Sequence, residues 1–146
     1  MTALACLLAL VFAVLAGLHV YWAGGGKWAG AATLPKHADG RPLFQIHGAR
    51  GALACLIMAV GLGAFGHLCL AQVGLAPKLF LAGRIPLALL VISGIFALRS
   101  LGDFKYVGLF RRVHGTDFAR LDRLVYTPLC LALTVGLAWL ALAPIK

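Results

Sequence analysis

Four long apolar runs divide this chain, and each is about as long as the α-helix that crosses a bilayer. They cover residues 2–23, 51–71, 79–98 and 124–143. Only 12% of the residues are charged and the mean hydropathy is +0.98, whereas a soluble domain has about 25% charged residues. A surface this apolar suits lipid better than water. The sequence therefore predicts an all-α integral membrane protein, a four-transmembrane-helix bundle that forms one domain over residues 1–146.

The basic residues are concentrated on one side of the predicted bundle. Of the thirteen lysines and arginines, ten lie in the loops of residues 24–50 and 99–123, and the other side has Lys78, Arg84 and Lys146. Loops rich in Lys and Arg stay in the cytoplasm. We therefore expect a multi-pass protein of the bacterial inner (plasma) membrane, with both loops cytoplasmic and both termini outside. Basic loops between apolar runs also favour membrane lipids over nucleic acid as partners.

One polar stretch, residues 101–128, gathers three of the four acidic residues together with several arginines. The predicted topology brings it to the cytoplasmic face, where the ends of the other spans also lie. We expect a polar pocket there. The candidates for catalytic proton transfer or hydrogen bonding are His19, Asp103, Tyr106, Asp122 and Tyr126. A second set of candidates would bind an anionic group, which the guanidinium fork of arginine matches. These candidates are Trp22, Arg50, Arg99, Arg112, Arg120 and Arg123.

A structural network is the alternative interpretation of the same stretch. The four acids are far outnumbered by cations, so each acid is expected to be paired with an arginine rather than free as a general base. The spacings Arg99–Asp103 and Asp122–Tyr126 are i,i+4, and Asp103–Tyr106 is i,i+3. Such pairs share a helix face, provided that the third helix continues that far.

His19 is the histidine with the strongest functional case. It lies at the cytoplasmic end of the first span and shares a helix face with Trp22. A histidine between a carboxylate and a phenol is placed for proton transfer near neutral pH. We therefore expect its ring to face the bundle and to have a polar neighbour from the third or fourth helix. A ring that meets only headgroups would leave the enzyme hypothesis without a histidine.

Other local patterns make smaller predictions. Thr116 is expected to cap a helix that has Asp117 in its first turn. His37 and His47 are expected to be solvated. His67 lacks the spacing of a metal or haem ligand, so the sequence predicts no metal site and identifies no cofactor.

The four cysteines all lie within apolar runs and show no CxxC spacing, which favours small buried hydrophobic residues. Cys6 and Cys69 fall near the same outer face in the predicted topology. A disulfide between them requires that their helices are neighbours and that the compartment is oxidising.

Three segments together resemble the DUF3995 family of small four-helix bacterial membrane proteins, which is named for having no assigned function. They are HVYWAGGG at His19–Gly26, RSLGDFKYVGLFRRVHGTDFARLD at Arg99–Asp122 and YTPLCLAL at Tyr126–Leu133. The resemblance covers spans one, three and four with their cytoplasmic ends. It implies the four-helix fold and brings no reaction, cofactor or catalytic residue.

The leading functional hypothesis is a cytoplasmic-side polar pocket that binds an anionic amphiphile or a lipid headgroup. Whether the site also performs membrane-enzyme chemistry stays open. One alternative is an accessory subunit or homo-oligomer, in which a second span rich in glycine (Gly61, Gly63, Gly66) packs against partner helices. Another is a small transporter, which neither an inverted repeat nor a charge at the membrane centre supports.

Overall fold

The computed structural model describes residues 1–37, 39, 41, 43, 48–81 and 83–144. The predictions on His47 and Lys146 lie outside these residues. The helical elements are α1 (Thr2–Ala23), α2 (Gly30–Thr33), α3 (Ala49–Gln72), a 3₁₀ turn (Leu79–Leu81), α4 (Ile85–Leu101), α5 (Asp117–Leu121), a π-helical turn (Asp122–Tyr126) and α6 (Thr127–Leu142).

The predicted four-helix architecture is confirmed. Three helical segments are long and apolar enough to cross a membrane: α1 with 22 residues, α3 with 24, and the continuous segment Asp117–Leu142 with 26. The fourth apolar helix, α4, is shorter and has 17 residues. These four helices are consistent with a multi-pass membrane protein.

Two of the helices do not begin where the corresponding apolar runs begin, each for a local reason. The third helix begins at Ile85 rather than at residue 79, because Pro86 is placed in its first turn, where a missing N–H does no harm. The helical segment that contains the fourth apolar run begins at Asp117, ahead of the start of that run at residue 124. Its cap is the predicted one, since the Thr116 hydroxyl accepts a hydrogen bond of 3.1 Å from the Ala119 N–H.

The helices pack chiefly as two pairs, α1 with α3 and α4 with α6. Phe12 of α1 is fully buried and joins the pairs. Its ring centroid lies 5.8 Å from that of Phe65 on α3 and 5.7 Å from that of Phe96 on α4. The outward faces remain apolar, as lipid requires: Val60 is 73% exposed and Leu142 71%.

Only one of the three predicted glycines of α3 permits a close approach of helices. A Cβ added at Gly66 would lie 3.4 Å from the Ala9 carbonyl oxygen of α1. Gly61 and Gly63 have no neighbouring atom within 4 Å of such a Cβ. Gly66 therefore lies at a close approach within the bundle, while Gly61 and Gly63 border open space, and the packing of this span against partner helices stays a prediction.

The end of α1, the start of α3, the end of α4 and the start of α5 lie together, and we call this the polar end of the bundle. The loop after α1 contacts the loop after α4 there, through a hydrogen bond of 3.1 Å between His37 Nδ1 and the Tyr106 hydroxyl. Lys36 Nζ also lies 3.8 Å from Asp117 Oδ2. The predicted convergence of distant polar segments on one face is thus observed.

Candidate functional site

Asp122 is the centre of a buried ionic cluster at the polar end, and its side chain is completely inaccessible. Its Oδ1 accepts a hydrogen bond of 2.8 Å from Arg99 Nη2, at the end of α4. Its Oδ2 accepts from Arg111 Nη1 at 2.9 Å, from the Gly108 N–H at 2.9 Å and from the Thr127 hydroxyl at 3.2 Å. The carboxylate is therefore well satisfied, which a buried charge requires.

The π-helical turn brings the Thr127 hydroxyl onto Asp122. Pro128 lacks the N–H that a regular helix would donate to the carbonyl four residues earlier, and its ring crowds that carbonyl. The turn before it widens into a π-helix, in which the Thr127 N–H bonds to the Asp122 carbonyl. Residues five apart then share a face. The sequence pairs Asp122 with Tyr126, whereas the observed side-chain partner on this segment is Thr127.

A tight loop after α4 delivers Gly108 and Arg111 to the cluster. The helix ends at Leu101 and the chain crosses itself at Gly102 and Gly108, whose φ angles are 86° and 85°. A Cβ added at Gly102 would lie 1.7 Å from the Val107 carbonyl oxygen. Glycine is therefore required at this crossing both for its positive φ and for space.

Asp103 organises the same loop without pairing with an arginine. Its Oδ1 accepts hydrogen bonds from the backbone N–H groups of Lys105, Tyr106 and Val107, at 2.9, 2.6 and 2.9 Å. Desolvation acts to raise the pKa of this carboxyl, but the three N–H donors outweigh it and the pKa is lowered. The predicted Arg99–Asp103 pair is wrong, because the helix ends between these residues and Arg99 turns to Asp122.

The loop after α1 covers the opposite side of the polar end. The Trp22 indole N–H donates to the Trp28 carbonyl at 2.9 Å, so this buried ring supports the loop from within. The Tyr126 hydroxyl donates to the Ala32 carbonyl at 3.4 Å. Trp22 and Tyr126, both candidates from the sequence, thus hold the loop to the helices. His37 is exposed, as expected, although it contacts Tyr106.

His19 does not make the predicted contacts. Its Nδ1 is hydrogen-bonded at 2.8 Å to the Leu15 carbonyl of its own helix, and its ring packs edge-on against Trp22 with centroids 5.2 Å apart. Within the described part of the chain it has no polar side-chain neighbour from α4 or α6. A histidine satisfied by its own helix is not placed to transfer a proton to the acidic residues of the polar end.

An open cleft lies beside the start of α5, with a volume of about 550 Å³. Arg120 and Arg123 line it together with His114, and the exposed Leu124 adds apolar surface. Asp117 also lines the cleft and is the acid that faces Lys36. The cleft therefore presents two guanidinium groups next to an apolar wall.

The predicted anion-binding arginines separate into two groups. Arg99 belongs to the buried cluster. The others are exposed and, among the residues that the structure describes, have no acidic partner: Arg50, Arg112, Arg120 and Arg123. Only Arg120 and Arg123 of these line the cleft.

Sequence reasoning missed Arg111, Gly108 and Thr127. Arg111 and Arg112 are adjacent, and the structure buries the first and exposes the second. No local pattern distinguishes two neighbouring arginines in a loop. For Thr127, the signal was Pro128, which implies an irregular turn directly before it.

The described residues include no group of three or more His, Cys, Asp or Glu side chains that is able to hold a metal ion. The four cysteines are free thiols, so no disulfide joins Cys6 to Cys69 in this structure. The prediction of buried cysteines is wrong for Cys6, which is exposed on α1, and is confirmed for Cys55, Cys69 and Cys130.

The family model described as "Protein of unknown function (DUF3995)" matches residues 12–137 of this chain, which is most of its length. The chain belongs to the DUF3995 family. No curated protein and no solved structure matches it. In this DUF3995 protein, the matched range contains the whole Asp122 cluster and the whole cleft. The resemblance noted in the sequence is thereby confirmed.

Proposed function

We propose that this protein binds the headgroup of an anionic amphiphile or membrane lipid in the cleft beside α5. The proposal rests on one observation: Arg120 and Arg123 line the same cleft as the exposed, apolar Leu124. A guanidinium fork matches a phosphate or carboxylate. An apolar wall next to it suits the first part of an acyl chain.

The electrostatics of the polar end support an anionic ligand. Every acid there already has a hydrogen-bond donor or a neighbouring cation: Asp39 pairs with Arg41, Asp117 lies 3.8 Å from Lys36, Asp122 pairs with two arginines, and Asp103 accepts from backbone N–H groups. Arg120 and Arg123 therefore keep their charge available for an external group. Exposed basic residues near an anionic leaflet contribute about 1 kcal/mol each to lipid binding.

The Asp122 cluster supports the cleft from beneath and is not itself the binding site. Its carboxylate is buried and fully bonded. It lies at the junction of α5, which contains Arg120, and the π-helical turn, which contains Arg123. We assign no reaction to the site: His19, the histidine predicted to transfer protons, bonds to its own helix and does not line the cleft.

The proposed location is the bacterial inner membrane, with the polar end in the cytoplasm. Ten of the thirteen basic residues belong to this end, which is the distribution that positive-inside insertion produces. A reporter fused after Lys146 should then be active outside, and one inserted in the loop of residues 24–50 should be active inside. The opposite pair of results would refute the orientation.

A photoreactive side chain in place of Leu124 tests the binding site directly. Leu124 is 62% exposed and lines the cleft, whereas the neighbouring Val125 is 47% exposed and does not. In vesicles of equal phosphatidylglycerol and phosphatidylcholine, we expect adducts at residue 124 to be enriched in phosphatidylglycerol relative to adducts at residue 125.

Charge-removing variants complete this test. The double variant R120Q/R123Q should abolish the enrichment, while the control K27Q/R50Q removes two exposed cations outside the cleft and should preserve it. Equal headgroup composition at residues 124 and 125 in the wild-type protein would overturn the proposal. The accessory-subunit and transporter hypotheses remain predictions.

A further inference from the structure

An apolar groove lies on the surface between α3 and α4, toward the end of the bundle opposite the polar end. Its volume is about 380 Å³. Phe65 and Leu68 form its α3 wall, and Val91 and Ile95 belong to its α4 wall. Arg84, directly before the first residue of α4, is the one charged residue that lines it in the described chain.

A second cleft of about 260 Å³ adjoins this groove, and Leu68 and Leu81 line both. The second cleft contains Lys78, and His67 closes it through a hydrogen bond of 3.0 Å between its Nε2 and the Pro77 carbonyl. Arg84 therefore lines the groove and Lys78 lines the adjoining cleft, and both cations belong to the segment between α3 and α4.

No acidic side chain of this sequence lies at the end of the bundle that holds Arg84 and Lys78. The chain has four acidic residues, all aspartates. Each of them lies in the polar-end loops or at the start of the last helical segment: Asp39, Asp103, Asp117 and Asp122. None of the four aspartates pairs with Arg84 or Lys78 among the residues that the structure describes.

We propose that the groove between α3 and α4 is a binding site for an anionic phospholipid, with one acyl chain in the groove and its phosphate at Arg84 and Lys78. Arg84 and Lys78 complement the negative phosphate, because no acidic side chain lies at this end of the bundle. The apolar walls of the groove fit the acyl chain. This site is separate from the cleft at the polar end, and it faces the other leaflet of a bilayer that the bundle spans.

The charge of the lipid headgroup must decide which lipid occupies this site. Lipid tails are as apolar as the groove, so there is no hydrophobic gain in moving an acyl chain from bulk lipid into it. Packing against the walls is available to every lipid alike. Selectivity between lipids therefore depends on the phosphate and on the net charge of the headgroup next to two cations.

A photoreactive residue at position 91 is the probe for this site, with position 98 as its control. Val91 and Leu98 are both exposed on α4, at 57% and 68%, but only Val91 lines the groove. The full-length protein is placed in vesicles of equal phosphatidylglycerol and phosphatidylcholine and illuminated. Mass spectrometry then gives the headgroup composition of the adducts.

We expect phosphatidylglycerol to be enriched at position 91 over position 98 by about five-fold for each basic residue that contacts it. The variant R84Q should lower the enrichment, R84Q/K78Q should abolish it, and R84K should retain most of it. The variant R120Q/R123Q should leave it unchanged, so the failure of the polar-end proposal would not affect this result.

Three outcomes would overturn the proposal. The first is the same headgroup composition at positions 91 and 98. The second is an enrichment that survives in R84Q/K78Q when that variant retains the thermal stability of the wild type. The third is cross-linking at position 91 mainly to a second copy of the chain, which would make the groove a surface for self-association.

Discussion

Arg99 Nη2 donates a hydrogen bond of 2.8 Å to Asp122 Oδ1, and this contact joins the end of α4 to the start of the last helical segment across 23 positions of sequence. Asp122 is fully buried, while the Arg99 side chain is 32% exposed. Arg111 approaches the same carboxylate from the loop between the two helices. The cluster has two positive charges and one negative charge, so it depends on Asp122 more than on either arginine.

Replacing Asp122 by Asn should strongly destabilise the protein. The change leaves Arg99 and Arg111 next to each other without a counter-charge, and breaking a buried ion pair on one side typically costs about 3–5 kcal/mol. The free energy of unfolding in detergent micelles is the measurement. The control D117N removes an acid that is 84% exposed and 3.8 Å from Lys36. We expect this control to lower the free energy of unfolding by about 0.5 kcal/mol or less. Equal losses in the two variants would contradict the structural role of the cluster.

Replacing Thr127 by Val should have a smaller but clear effect. The side chains have nearly the same shape, so the change chiefly removes the hydroxyl that donates to Asp122 at 3.2 Å. A hydrogen bond to a charged group is worth about 1.5–3 kcal/mol. In the control T134V, the lost hydroxyl donates to the Cys130 carbonyl of its own helix, and the loss of unfolding free energy should be smaller. A larger loss in T134V would show that the π-helical turn does not depend on this bond.

Replacing Gly102 by Ala should damage the loop more than the same change at Gly115. Both residues have a positive φ, 86° and 85°, so both substitutions bear a backbone penalty of about 1–2 kcal/mol. Only at Gly102 does the new Cβ collide with backbone, whereas at Gly115 nothing lies within 4 Å. We expect a total loss on the order of 3–5 kcal/mol for G102A. The midpoints of thermal unfolding of G102A and G115A are compared. Indistinguishable midpoints would contradict the requirement for glycine at position 102.

The loop after α4 should loosen in acid because of Asp103. The pKa of this carboxyl is lowered in the folded protein, since the three backbone N–H donors outweigh desolvation. Its contribution to stability is therefore fully present above the unfolded pKa of about 3.9 and is lost as the pH falls through the lower folded value. Hydrogen exchange at Lys105, Tyr106 and Val107, corrected for intrinsic rates, should accelerate over that range. In D103N the same amides should exchange faster at neutral pH and lack this acid transition; protection identical to the wild type would contradict the prediction.

The sequence determined the number of apolar helices, the first helix over Thr2–Ala23, the Thr116 cap and the gathering of polar residues at one end. These features follow from hydropathy, from local capping chemistry and from the alternation of spans, all of which act over a few residues or along one helix. The start of α4 at Ile85 also has a local signal, Pro86. The apolar run that begins at residue 79 led to the prediction of an earlier start.

Only the tertiary structure decided which side chains meet. The long helices have apolar residues around their whole circumference, because both lipid and the core accept them, so no periodic pattern identifies the face of α1 that places His19. The choice of Arg111 over Arg112, and of Asp122 over Asp103 as the partner of Arg99, depends on how α4 and the last helical segment pack and on the crossing at Gly102. Those contacts join residues far apart in the sequence, and their energies depend on burial, which exists only after the helices have assembled.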